Sequence, residues 1–151
     1  MLQIKKLLFP VDLSAASSTI ASSVIALGEA FDAEIHLVHV AVTMEEIAGS
    51  YGPDMILPNI EDEIVQGAER ELEKFEQQFF AGYPDKKRAV LKGDPVDKII
   101  AYIRAEKIDL VVMGTHGRKG IDKIIFGSVA DRMVKNSPVP VMTINPYRKG
   151  W

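Results

Sequence analysis

Apolar residues along the chain follow two alternating spacings. Short apolar runs of strand length are separated by longer segments in which apolar residues recur every three or four positions. The first run, residues 4–9, reads as a strand that ends at Pro10. Ser14 is placed as the N-cap of a helix with Ile20, Val24, Leu27 and Phe31 on its inner face. Residues 34–40 form the second strand, with Ile35, Leu37 and Val38 apolar. Residues 41–59 carry Gly49, Gly52, Pro53 and Pro58, a connection long enough to be functional or mobile. Its Met44, Ile47, Met55, Ile56 and Leu57 suit a lid or a partner contact.

Helical spacing returns over residues 60–80, with Ile64, Ala68, Leu72, Phe75 and Phe79 as the buried stripe. A short strand over residues 88–91 precedes Gly93-Asp94-Pro95. There Asp94 caps a helix and Pro95 opens it, with Val96, Ile99, Ile100 and Ile103 inward. Residues 108–113 are the fourth strand, and a fourth helix starts near Gly127 or Ser128 and stops near Asn136-Ser137-Pro138. Residues 139–144 close the series as a fifth strand. Strands alternating with helices imply α/β architecture, a parallel sheet with helices on both faces and right-handed crossovers.

One junction in this series carries chemistry. Between the fourth strand and fourth helix lies Gly114-Thr115-His116-Gly117, and then, after nine intervening residues, Gly127-Ser128. The first N–H groups of a helix lack intrahelical partners, and the helix dipole adds partial positive charge there. Glycines let a phosphate approach the main chain, and Ser128 adds a hydroxyl donor.

The spacing Gly-x2-Gly-x9-Gly-Ser of Gly114, Gly117, Gly127 and Ser128 resembles the motif of the ATP-binding branch of the universal stress proteins. The resemblance runs from Pro10-Val11-Asp12-Leu13-Ser14 to Pro138-Val139-Pro140-Val141. It implies a doubly wound, Rossmann-like sheet of the adenine nucleotide alpha hydrolase type, with strand order 3-2-1-4-5 in one domain spanning residues 1–151. The winding then reverses between strands one and four, where such sheets bind ligands beyond the strands' carboxyl ends.

The resemblance further implies ATP, or ADP or AMP, in that crevice, with Mg²⁺ held through the phosphates. Pro10, Val11 and Met113 would lie against adenine, and the main chain of Val40 would bond its edge. Asp12, beside Ser14, would accept from the ribose or the base. Gly114 would admit the ribose, and Gly117 would face the phosphates. Gly127, Ser128 and Val129 would donate to the terminal phosphates, with Arg118 as counter-charge. The residues alone leave plainer readings open. Pro10 ends a strand, Val40 and Met113 suit a core, and Asp12 equally suits a cap.

Charge and composition sharpen this picture. A formal net charge of −3 over 151 residues argues against a general nucleic-acid binder. The chain has no cysteine, which excludes disulfides and thiolate metal sites. No apolar run approaches membrane-spanning length, so a cytoplasmic location away from membranes is expected. No Gly-x4-Gly-Lys-Ser/Thr loop is present, nor a pyrophosphatase-type loop or a response-regulator acidic pair. His116 has no carboxylate at close spacing to orient it, and His36 and His39 read as structural. With nothing to activate water, nucleotide binding without fast turnover is expected, and no residue is assigned a catalytic role. A slow ATPase or phosphotransferase at the same site, and an interaction module without nucleotide, are the alternatives. Pro138 and Pro140 mark the last strand as a sheet edge. Its Val139, Val141, Met142 and Ile144 invite pairing with a second copy in a homodimer, unless residues 146–151 cover it. The protein partner of a regulatory dimer is not encoded in these residues.

Overall fold

The computed structural model describes residues 1–41, 59–115 and 128–148. Among these, β1 (Lys6–Pro10), α1 (Ala15–Phe31), β2 (Glu34–Ala41) and α2 (Ile60–Phe79) lead the chain. They are followed by β3 (Lys86–Lys92), α3 (Pro95–Glu106), β4 (Leu110–Gly114), α4 (Ser128–Asn136) and β5 (Val141–Ile144). The strands form one sheet in the order β3-β2-β1-β4-β5, and every neighbouring pair is parallel. The expected α/β class and strand order are both present.

Side-chain alternation divides the core into two layers. Leu7, Phe9, Ile35, Leu37, Leu110 and Val112 face one side, against Ile20 and Val24 of α1 and Leu72 and Phe75 of α2. Leu8, Val38, Val111 and Met113 face the other, against Ile99 and Ile103 of α3 and Ala130 and Met133 of α4. The two helix pairs thus cover opposite faces, which double winding requires.

Several boundaries and placements differ from the sequence reading. β3 extends to Lys86 and Lys92 because its polar ends pair with Ile35 and Ala41 of β2 at a sheet edge, a partnership hydrophobic spacing does not register. β5 starts at Val141 rather than at Val139, after both prolines, although Pro140 O still accepts from Val111 N at 3.0 Å. Before it, Val139 N–H donates to Ser137 Oγ at 3.2 Å, a local turn in place of the ladder. Phe31 is exposed at the end of α1, so it does not join the buried face, and Phe79 is only half-buried. α3 opens as expected: Asp94 accepts from Asp97 N at 3.0 Å, and Pro95 stands in the first turn.

Candidate functional site

The crevice begins with a ladder that stops early. β1 pairs with β4 only through Leu7↔Leu110 and Leu8↔Val111. Beyond those pairs, β1 stays with β2 as far as Pro10↔Val38, and Val11 N donates to Val38 O at 2.8 Å. β4 instead stays with β5 as far as Gly114↔Ile144, and Thr115 N donates to Ile144 O at 2.9 Å. Each strand follows its outer neighbour, and the two part at their carboxyl ends. Pro10 contributes directly, since it has no N–H to give the ladder. An opening at the switch point of the sheet follows.

Alternation decides which side chains face this opening from which layer. Leu8 lies in the α3/α4 layer, so Pro10, two residues on, projects to the same face. Met113 and Val40 also pack on that layer, Met113 nearly buried and Val40 half-buried. Pro10, Val40 and Met113 therefore share one face, the face that carries α4. Val11 is different. Its side chain is 3% exposed and packs in the opposite layer beside α1, so it turns away from the other three.

The β1–α1 turn is built on one carboxylate. Asp12 Oδ1 accepts from Ser14 N at 2.9 Å, from Ser14 Oγ, and from Ser17 Oγ at 2.7 Å. Ser17 Oγ in turn accepts from Asp12 N at 3.2 Å. This is an aspartate-centred turn, and it forces Leu13 into the left-handed region at φ 61°. Ser14 occupies the N-cap position, but its hydroxyl bonds Asp12 and makes no capping bond to α1. Asp12 Oδ2 has no partner among the described residues, so it can accept from a ligand. Ser17, buried at 5% exposure, escaped the sequence reading. The Asp-x-Ser-x-x-Ser spacing of residues 12, 14 and 17 was the available signal.

On the facing side, Ser128 is exposed and starts α4, and Val129 is half-buried against the α3/α4 layer. Arg132 fixes this helix to the start of α3: its guanidinium donates to Asp94 Oδ1 at 3.0 Å and Oδ2 at 3.1 Å. The Arg132 hydrogen bonds, with that of Asp97 N, hold the Asp94 carboxyl below the usual carboxylate range. Asp131, in the first turn of α4, is paired with Lys135 at 2.9 Å. Gly114 closes β4 at half-burial. Gly117, Arg118, Gly127 and His116, with the 42–58 connection, lie outside the described residues.

The other two histidines sit in the sheet. His36 is fully buried at the amino end, far along β2 from the crevice, with Nδ1 2.8 Å from the Tyr102 hydroxyl and Nε2 on Glu34 Oε1. Burial works to raise the Glu34 pKa, but the His36 bond and the Lys87 ammonium outweigh it and lower the value. Burial pushes the Tyr102 hydroxyl up to about 12. These groups satisfy one another, which fits the structural part expected for His36. His39 Nδ1 contacts Val11 O at 2.7 Å and so belongs to the crevice wall, a role its sequence position did not suggest.

Among the described residues no three acidic or histidine side chains converge to hold a metal, and no helix is long and apolar enough to cross a membrane. Residues 3–145 match the model of the Universal stress protein family. A universal stress protein of Methanocaldococcus jannaschii, MJ0531, is 30% identical over 147 residues, which cover 96% of this chain and 84% of that one. The solved structure of MJ0577, from the same organism, superposes with TM-score 0.78 at 23% identity and 99% coverage of both chains. A universal stress protein in complex with cAMP superposes at TM-score 0.67 and 19% identity, covering 95% of this chain and 99% of that one. One from Archaeoglobus fulgidus in complex with dAMP does so at 0.55 and 16%, covering 96% and 100%.

Proposed function

The chain belongs to the universal stress protein family, and on that premise we propose that it binds an adenine nucleotide, ATP with Mg²⁺ foremost, where β1 and β4 part. The observation that carries this reading is the early end of the β1–β4 ladder, which opens the sheet beside an aspartate with one oxygen to offer. Complexes of two similar folds with cAMP and dAMP support the adenine class. Pro10, Val40 and Met113 share the face on which a flat base can lie, and Asp12 Oδ2 accepts from a ribose hydroxyl or the base. Ser128 and Val129, at the start of α4, offer main-chain donors and a hydroxyl to phosphate oxygens. Gly114, Gly117, Gly127 and Arg118 complete the phosphate side of the proposal from the sequence motif. Magnesium would enter on the phosphates, since it keeps much of its water and asks few protein ligands.

The same reading makes the chain a cytoplasmic regulatory protein whose nucleotide state alters a protein contact. It pairs with a second copy through β5. That strand lies at the sheet edge, and Met142 upon it and Val134 on α4 are large apolar residues exposed to solvent. Binding is expected with Kd of order micromolar, about −8 kcal/mol, because main-chain dipoles and few cations hold the phosphates.

Titration calorimetry with ATP and Mg²⁺ tests the site through Asp12→Asn. The amide keeps an oxygen for the Ser14 and Ser17 bonds but places a donor where Oδ2 accepts. Affinity is expected to fall at least about tenfold, the loss of a bond to a charged group, with the melting midpoint nearly unchanged. Wild-type chain that takes up no adenine nucleotide would overturn the reading.

A further inference from the structure

The Val11 carbonyl makes a bond that a continuing ladder would not give it. Val11 N–H donates to Val38 O at 2.8 Å, so β1 and β2 stay in register one residue past the end of β1. The next bond of a parallel ladder in that register runs from Val40 N–H to Val11 O. Val11 O instead accepts from His39 Nδ1 at 2.7 Å. A carbonyl can only accept, so Nδ1 carries the hydrogen in this contact. No main-chain bond joins Val40 to Val11.

The consequence lies at Val40. Main-chain groups alternate along a strand, so those of Val40 point to the same side as those of Val38, toward β1. At Val40, however, β1 has already left the sheet for the Asp12 turn. We propose that His39 is a positioning residue for the nucleobase: by taking the Val11 carbonyl, it keeps the Val40 N–H and C=O directed into the crevice, where they read the edge of adenine. Adenine presents an acceptor at N1 beside a donor at its amino group, which matches one N–H and one C=O. Hypoxanthine presents the reverse, a donor at N1 and an acceptor at O6. This inference deepens the nucleotide reading and rests on it.

Two substitutions separate the hydrogen bond from mere bulk. His39→Leu keeps an apolar body without a donor, whereas His39→Asn places an amide donor close to where Nδ1 stands. Affinities for ATP and ITP, which differ only in the base, are measured for wild type and both variants. The Val40 amide exchange rate is measured on nucleotide-free protein. Wild type is expected to prefer ATP by about tenfold or more, the worth of a matched rather than mismatched bond. In His39→Leu the preference collapses to near unity and Val40 exchange slows, because its N–H falls back onto Val11 O. His39→Asn keeps both wild-type properties. An unchanged ATP/ITP ratio in His39→Leu, equal losses for the two nucleotides, or unchanged Val40 exchange would each overturn the assignment. Should His39→Leu not fold, His39→Gln, whose donor reaches past the Nδ1 position, is read in its place. Wild type that binds neither triphosphate defeats the nucleotide reading itself, and Val40 exchange then still decides whether His39 holds the ladder open.

Discussion

Three donors meet on one oxygen of Asp12, and the main chain around it adopts a conformation leucine seldom takes. Such a turn is fixed by its own short bonds, so the neighbouring carboxylate oxygen is held in place before any ligand arrives. Gly28 shows the same dependence on single atoms within the core. A Cβ there would stand 2.7 Å from Ile35 Cδ1 and 2.7 Å from the Tyr83 hydroxyl. That hydroxyl is anchored on Ala33 O and cannot easily retreat. Gly28→Ala is therefore expected to cost about 1–3 kcal/mol by overpacking, despite the better helix propensity of alanine. Urea denaturation checks this, and a variant as stable as wild type would contradict it. The Gly28 contact was not legible in the chain, and neither was the Val11–His39 bond: Gly28 meets Tyr83 and Val11 meets His39 only after folding, and local spacing carries no record of distant partners.

Elements were more legible, because their signals are local. Asp94-Pro95 announces the start of α3, and the structure places Asp97 N on the Asp94 carboxylate. What that reading omits is that the same carboxylate receives Arg132 from α4. One residue thus caps one helix and steadies the next. The pH dependence follows in sign. The Arg132 and Asp97 bonds lower the Asp94 pKa in the folded state below its unfolded value of about 3.9. The stabilisation is therefore complete above about pH 4 and disappears as pH falls through the lower, folded value. Asp94→Ala is expected to lose about 1 kcal/mol at neutral pH from the missing cap alone. Its deficit relative to wild type should narrow on acidification, as chemical denaturation across that range would report. A deficit that is constant with pH would show that the carboxylate's charge is not involved. Strand ends were less legible than helix starts. Lys86 and Lys87 look like loop residues until the β2 edge supplies their partners, and the prolines shorten β5 from its amino end.

At the scale of the molecule, alternating elements implied the parallel sheet, but the order of its strands did not follow from spacing. The family resemblance supplied that order, and the ladders bear it out. Once the order is given, the crevice is a matter of which neighbour each central strand follows at its end. The sequence offered Pro10, Asp12, Val40, Met113 and Ser128 as candidates; the Ser17 bond was missed although its spacing is local, and the His39 bond left no local signal. β5 is the second feature at this scale. Met142→Asp puts a charge on the exposed strand edge, 40% open to solvent in the single chain. Sedimentation is expected to show a dimer at micromolar wild type and a monomer for this variant, with nucleotide affinity retained. A wild-type chain that sediments as a monomer would remove the proposed assembly. Where an adenine nucleotide lies decides the matter. The most direct measurement is a crystal structure of the chain grown with ATP and magnesium. Its base is expected over Pro10, Val40 and Met113, with its phosphates at the start of α4 beside Ser128. Density for the nucleotide anywhere else, or a crevice filled by the protein's own side chains, would contradict it.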